Sequence, residues 1–395
     1  MLAALCTVLA GCGNDAADEP SGSGGTGGGG GAAGTGGASG AGFQWPTTGW
    51  AVDSPESQGM DPAVFEAAHE YAFADAKNTQ GVVVIRHGVI VAEWYADGHD
   101  EDSWATSWSM GKSFGSTLIG IAIDEGLIEN ADVPMSDYYP EWKDDDRSKI
   151  TLRHVLSMTS GRKWTETYDL SNPDSDMVTM GLKVDELTYA RSNGAEVPPG
   201  TRWQYASGDS MLMSGVIEAV TGKTALDYAQ KRLFDPIGMD KAQWWVDGKN
   251  HALTFCCVDT TSREFAKLGF LFLHGGEWDG QQIVSKAWVD EATRPSQKLF
   301  DGYGLQWWVN NDATLPDDMF YADGLDGQFI YVMPSQDLVV VRNGSYEKAA
   351  GDAVAPLGIL LKIVPRAVLD GTGTLPPDSW DHATFLQPFI ESITD

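Results

Sequence analysis

Ser-x-x-Lys occurs three times in this 395-residue chain, at Ser109/Lys112, Ser160/Lys163 and Ser345/Lys348. A serine three residues before a lysine can pair a nucleophile with its base, because positions i and i+3 share one face of a helix. Spacing alone does not choose among the three, so the flanking residues must. Ser109 opens SMGKSFGSTLIGIAIDEG, a run rich in Gly, Ala and Ile and almost free of charge, which predicts a buried helix. Ser160 is followed by Gly-Arg-Lys-Trp with no long apolar helix, and Ser345 is followed by Gly351 and Pro356. Burial matters because a free lysine titrates near ~10.4, leaving about one in 10³ neutral at pH 7. Lowering that pKa by ~3 units takes roughly 4 kcal/mol, which an apolar setting can supply. The start of the helix also favours negative charge growing on the serine oxygen.

Two further segments carry candidate chemistry. Tyr205-Ala206-Ser207 follows the turn Val197-Pro198-Pro199-Gly200 and precedes an apolar helix. A tyrosine held there can bridge nucleophile and leaving group and pass a proton between them. Gly324-Leu325-Asp326-Gly327-Gln328 leads into an apolar strand. Its glycines allow a substrate carbonyl close to the strand edge. An N–H on that edge can complete an oxyanion hole with the N–H of Ser109. Ser207, Gly324 and Asp326 are therefore expected on the substrate side of the site.

Two other motifs overlap the same run. Gly111-Lys-Ser113-Phe-Gly115 matches Gly-x-Ser-x-Gly, but that pattern needs a strand before it and alternating β/α units, and residues 103–110 do not read as a β-branched strand. A phosphate-binding loop needs glycine where Thr106 stands.

Ser109-Met-Gly-Lys112, then Tyr205-Ala-Ser207, then the glycine-rich lead into a strand resemble, in that order, the serine β-lactamase and penicillin-binding superfamily. The segments 150–161, Pro199-Gly200 and 303–308 are similar to its class C-related members. Glu166-Thr-Tyr168 and Ser175-Asp176 resemble the substrate-side loop of 6-aminohexanoate-dimer hydrolases and family VIII carboxylesterases. The resemblance implies a serine hydrolase with Ser109 as nucleophile, Lys112 as base and Tyr205 as proton relay. It implies Ser109 and Leu325 as oxyanion donors and Tyr168 in the pocket wall, with no cofactor. Two departures bear on substrate. Ser207 stands where β-lactamases have Asn, and Ala322-Asp323-Gly324 stands where they carry Lys-Thr-Gly or His-x-Gly. Without that cation, and with Asp323 and Asp326 present, a penicillin or D-Ala-D-Ala carboxylate is disfavoured. An ester or linear amide is the expected substrate, with a β-lactamase, a carboxypeptidase or a non-catalytic sensor as alternatives.

The elements that must position these residues are legible in outline. The run GVVVIRHGVIVAEWYA predicts a hairpin over 81–96 about Arg86-His87-Gly88. Further strands are predicted at 305–309, 329–333 and 338–342, with a turn at Pro334-Ser335-Gln336-Asp337. Helical spacing marks 110–125, 210–220, 225–233 and 263–274. Strands at both ends and helices between predict an α+β fold: an antiparallel sheet built from both chain ends and flanked by helices, plus a largely helical insertion.

The formal charge of −30, from 56 acidic and 26 basic residues, argues against a nucleic-acid partner. Cys256 and Cys257 are adjacent, which suits two buried thiols rather than a loop-closing disulfide. No Cys/His cluster has metal-ligand spacing. His154 is expected to be a structural, hydrogen-bonded residue. Residues 1–12 hold a short apolar run ending Leu9-Ala10-Gly11-Cys12, which resembles a lipoprotein signal with its lipobox. Residues 13–42 are dominated by a Gly-rich tract and read as a disordered linker, leaving 43–395 as the hydrolase domain. Lipidation of Cys12 is therefore expected to anchor the enzyme in a bacterial cell envelope, the lipid being its only contact with the membrane.

Overall fold

Strand residues that alternate between two apolar environments need cover on both faces. The β-branched run near residue 80 behaves this way. Val83 and Ile85 enter a large core, while Val82 and Val84 enter a smaller one on the opposite face. The computed structural model describes residues 44–345, apart from 75, 76 and 314, together with Val364 and Val368. The leader, Cys12, the linker and Lys348 lie outside the described residues.

Seven strands form the main sheet: β1 (Ala51–Val52), β2 (Thr79–Arg86), β3 (Val89–Tyr95), β4 (Trp308–Val309), β5 (Phe320–Gly324), β6 (Gln328–Met333) and β7 (Leu338–Gly344). Their order is β1-β3-β2-β7-β6-β5-β4, so strands from the first and last parts of the described residues meet where β2 pairs with β7. All pairs are antiparallel except β1 with β3, which makes the sheet mixed rather than purely antiparallel. The β2–β3 hairpin turns at His87 and Gly88, both at positive φ, as a tight primed turn requires.

Helix α1 (Pro62–Ala72) covers the smaller face, placing Val64, Phe65 and Ala68 against Val82, Val84 and Val340. The sequence reading did not include it. Helix α2 (Gly111–Asp124) follows the Ser109 turn, and α3 (Ser207–Thr221) follows Tyr205. Helix α4 (Ser262–Leu273) lies on the larger face of the sheet. It comes close because Gly269 has no side chain: a Cβ there would sit 2.7 Å from Ile330 and 2.9 Å from Val339.

Several expectations change. The strand expected over 305–309 shrinks to Trp308–Val309, because Gln306 takes a left-handed φ of 64°. Its side chain instead donates to the Val155 and Leu156 carbonyls and accepts from Ser210, while its own carbonyl accepts from Ser113. Residues 103–110 do contain a strand, Trp104–Thr106, paired with Val258–Thr261 in a small separate sheet. The helix expected over 225–233 is α-helical at Ala225–Ala229 and continues as a π-turn over Gln230–Phe234. Cys256 and Cys257 are joined as a vicinal disulfide, not two thiols. Loop-closure reasoning misses such a bond, because its effect is on one local turn, where Cys257 holds a φ of 70°. His154 is structural as expected, its Nδ1 accepting from the Thr151 N–H in a helix cap.

Filling the contact at Gly269 tests the packing of α4 on the sheet. Gly269→Ala is expected to cost about 1–3 kcal/mol of stability through overpacking. A denaturant-unfolding midpoint unchanged from wild type would show that the layer relaxes freely.

Candidate active site

Ser109 sits in a 3-10 turn, Trp108–Met110, that runs directly into α2. The turn is aimed by two features. Ser107 is tied to the small sheet, its N–H bonding to the Val258 carbonyl and its Oγ accepting from the Val258 N–H. Trp108 then takes a left-handed φ of 42°, uncommon for a bulky residue and the kind of local strain found at functional turns.

Lys112, one turn along, is 1% exposed. Its Nζ donates to Ser109 Oγ at 3.0 Å, Ser207 Oγ at 3.1 Å and the Phe255 carbonyl at 2.9 Å. These use all three donors of an ammonium group. Burial pushes its pKa down to about 8, although the Glu166 and Asp323 carboxylates oppose that shift. The other two tetrads are not assembled in this way. Lys163 is exposed, and Lys348 falls outside the described residues. Ser113, the serine of the Gly-x-Ser-x-Gly match, is buried and donates to the Gln306 carbonyl.

Ser207 lies beneath the cleft, 1% exposed, and does not line it. Its Oγ accepts from Lys112 and donates to Glu166 Oε1 at 2.7 Å, while its N–H donates to Glu166 Oε2 at 2.8 Å. Ser207 thus links the lysine to a carboxylate, a role its place in the sequence did not reveal. Glu166 also accepts from Trp164 Nε1 at 2.5 Å and from the Tyr168 hydroxyl at 2.8 Å. Ser175 and Asp176 brace this loop from behind. Ser175 Oγ donates to the Thr167 carbonyl, and Asp176 accepts from the Thr165 N–H.

A cleft of about 500 Å³ opens over Ser109, with Tyr168, Tyr205, Gly324, Leu325 and Asp326 in its wall. Tyr205 stacks on Trp308, their ring centroids 5.9 Å apart, and its ring lies 4.8 Å from Lys112 Nζ. Burial pushes the Tyr205 phenol well above 10, so it is neutral at physiological pH. The adjacent Trp307 is buried in the core against Phe272.

The edge bearing Leu325 approaches the Ser109 turn through Gly324, where a Cβ would stand 2.2 Å from the Ser107 carbonyl oxygen. Arg342, on β7 and 1% exposed, holds the following turn. Its Nη1 donates to the Asp326 and Gly327 carbonyls at 2.7 Å each, and its Nη2 donates to the Lys77 carbonyl. The sequence reading passed over Arg342, although one charge inside the apolar run LVVVR is a usable signal for a buried polar anchor.

The family model for β-lactamase matches residues 67–358. The chain is 26% identical over 296 residues to the 6-aminohexanoate-dimer hydrolase of Paenarthrobacter ureafaciens, covering 68% of this chain and 73% of that one. A putative 6-aminohexanoate-dimer hydrolase from Bacillus anthracis superposes with a TM-score of 0.63 at 22% identity, over 74% of this chain and 80% of that one. A family VIII carboxylesterase superposes with a TM-score of 0.59 at 19% identity, over 80% and 98%. The chain belongs to the β-lactamase family, and its homologues are hydrolases of that fold.

Gly324→Ala is expected to push the Leu325 edge away from Ser109 and to lower kcat/KM for an ester substrate by roughly 10²-fold, the scale of an ångström misplacement. An unchanged circular dichroism spectrum would show the fold intact, and unchanged kinetics would show that the close approach is not needed.

Proposed function

We propose that the chain is a serine hydrolase that cleaves carboxylic ester or linear amide bonds through an acyl-enzyme on Ser109. The observation that carries this reading is the 3.0 Å contact between Ser109 Oγ and a buried lysine whose pKa is pushed down to about 8. A neutral Lys112 keeps two N–H groups. These serve the Phe255 carbonyl and Ser207 Oγ, which leaves the lone pair for the Ser109 proton. Ser109 Oγ then attacks the substrate carbonyl as its proton moves to Lys112 Nζ. The N–H groups of Ser109 and Leu325 receive the developing oxyanion. Tyr205, neutral at the outset, gives its proton to the leaving group and is reprotonated from Lys112. Water, deprotonated in turn by Lys112, attacks the acyl carbonyl; the bond to Ser109 Oγ breaks, Lys112 returns the proton to that oxygen, and the acid leaves.

The wall of the cleft favours esters and linear amides over β-lactams. It contains Glu166, Asp323 and Asp326, with no Lys or Arg among its lining residues, so it repels the carboxylate of a penicillin or a D-Ala-D-Ala peptide. Two relatives bear names that support this reading, a dimer hydrolase and, over 32% of this chain, a lovastatin esterase from Penicillium rubens, whereas others are penicillin-binding proteins matched over 36% and 24% of this chain.

Ser109→Ala is expected to reduce turnover of p-nitrophenyl butyrate by about 10³-fold or more. Unchanged turnover would overturn the assignment. Because only neutral Lys112 accepts the proton, kcat/KM should rise with pH and level off above its pKa of about 8. A profile flat from about pH 6 to 9 would exclude Lys112 as the base.

A further inference from the structure

We propose that Asp323 and the aromatic side chains around it form a subsite for a substrate ammonium group, so that the preferred ester or amide carries a primary amine. This rests on reading the cleft as the substrate site. Asp323 lines the cleft with Ser109. Its carboxylate has no hydrogen bond or ion pair among the described residues. The contrast with its neighbour is sharp, since Glu166 accepts from four donors.

The setting is built by strand geometry. Tyr321 and Asp323 are two apart on β5 and share a face. Across the pair, Tyr331 stands opposite Tyr321 and Phe329 opposite Asp323. The rings form a continuous row. Trp308 stacks on Tyr321 at 6.1 Å, Tyr321 meets Tyr331 at 5.3 Å, and Tyr331 stacks on Phe329 at 4.9 Å. Tyr205 extends the row from the far side of Trp308. A carboxylate set into aromatic faces suits an organic ammonium, which gains an ion pair and cation–π attraction together. It does not suit calcium or magnesium, which need several oxygen ligands.

Charge points the same way. Three carboxylates line the cleft without a lining cation. Glu166 is tied by hydrogen bonds to Ser207, Trp164 and Tyr168, whereas Asp323 has none among the described residues and feels Lys112 only through its charge. Burial also raises the Asp323 pKa to about 7, with Lys112 opposing the rise, so an approaching ammonium favours its ionised form.

The test uses binding rather than turnover. n-Butylammonium and n-butanol, nearly the same shape, are titrated calorimetrically into Ser109→Ala enzyme and into Ser109→Ala/Asp323→Asn enzyme. The ammonium should bind at least roughly tenfold more tightly than the alcohol to the first, and with little preference to the second. Equal binding of both to the first protein would overturn the subsite. A preference that survives Asp323→Asn would overturn Asp323 as its centre and leave that residue as a counter-charge to Lys112. Neither measurement depends on hydrolysis, so failure of the acyl-enzyme reading would appear separately in the Ser109→Ala kinetics. As a second readout, wild type should prefer p-nitrophenyl 4-aminobutyrate to p-nitrophenyl butyrate, after correction for alkaline reactivity. Asp323→Asn should collapse that ratio whatever it does to the absolute rates, and a ratio unchanged by the substitution would count against the subsite.

Discussion

The site depends on one buried cation. An ammonium taken out of water is costly unless every donor finds an acceptor and a counter-charge lies near. Lys112 meets the first condition through Ser109 on its own turn and through Ser207 and Phe255, which reach it from distant parts of the chain. It meets the second through Glu166, one hydroxyl away across Ser207, and through Asp323. Burial favours the neutral lysine and the carboxylates favour the charged one. The resulting pKa of about 8 lets one group release and accept a proton near neutrality.

The surrounding structure serves that convergence. The small sheet grips Ser107 and so aims the turn before α2. Gln306 joins the 152–156 helix and α3 through its buried side-chain amide, and α2 through its main-chain carbonyl. Gly324 lets a strand edge close on the Ser109 turn, and Arg342 reaches across from β7 to hold the turn that follows it. Residues far apart in sequence support this edge, because β2 and β7 pair at the middle of the sheet and Arg342 also reaches the Lys77 carbonyl.

The outline of the fold was readable wherever one periodicity dominated. The β2–β3 hairpin, β6, β7 and helices α2, α3 and α4 fall close to where apolar spacing put them. Elements were missed where the local signal was weak or misleading. Trp104–Thr106 and β5 are short and mixed in composition, and they are strands because of their partners. Gln306 interrupts an apolar run that would otherwise have continued as strand, since its amide has better partners in the core. The vicinal disulfide escaped an argument framed around long loops.

The sequence by itself determined the chemical parts and their order: a serine and lysine opening an apolar helix, a tyrosine before a second helix, and glycines ahead of a strand. Helix period and side-chain type are local properties, so they survive without a structure. What holds Lys112 in place, and how far its pKa is pushed down, was decided only by the tertiary structure. The flanking residues single out the Ser109/Lys112 tetrad, but the acceptors on Ser207 and Phe255 that hold Lys112 lie far away in sequence. The roles of Ser207, Glu166 and Asp323 were likewise tertiary. A carboxylate's function depends on which donors surround it, and those donors come from residues far away in sequence.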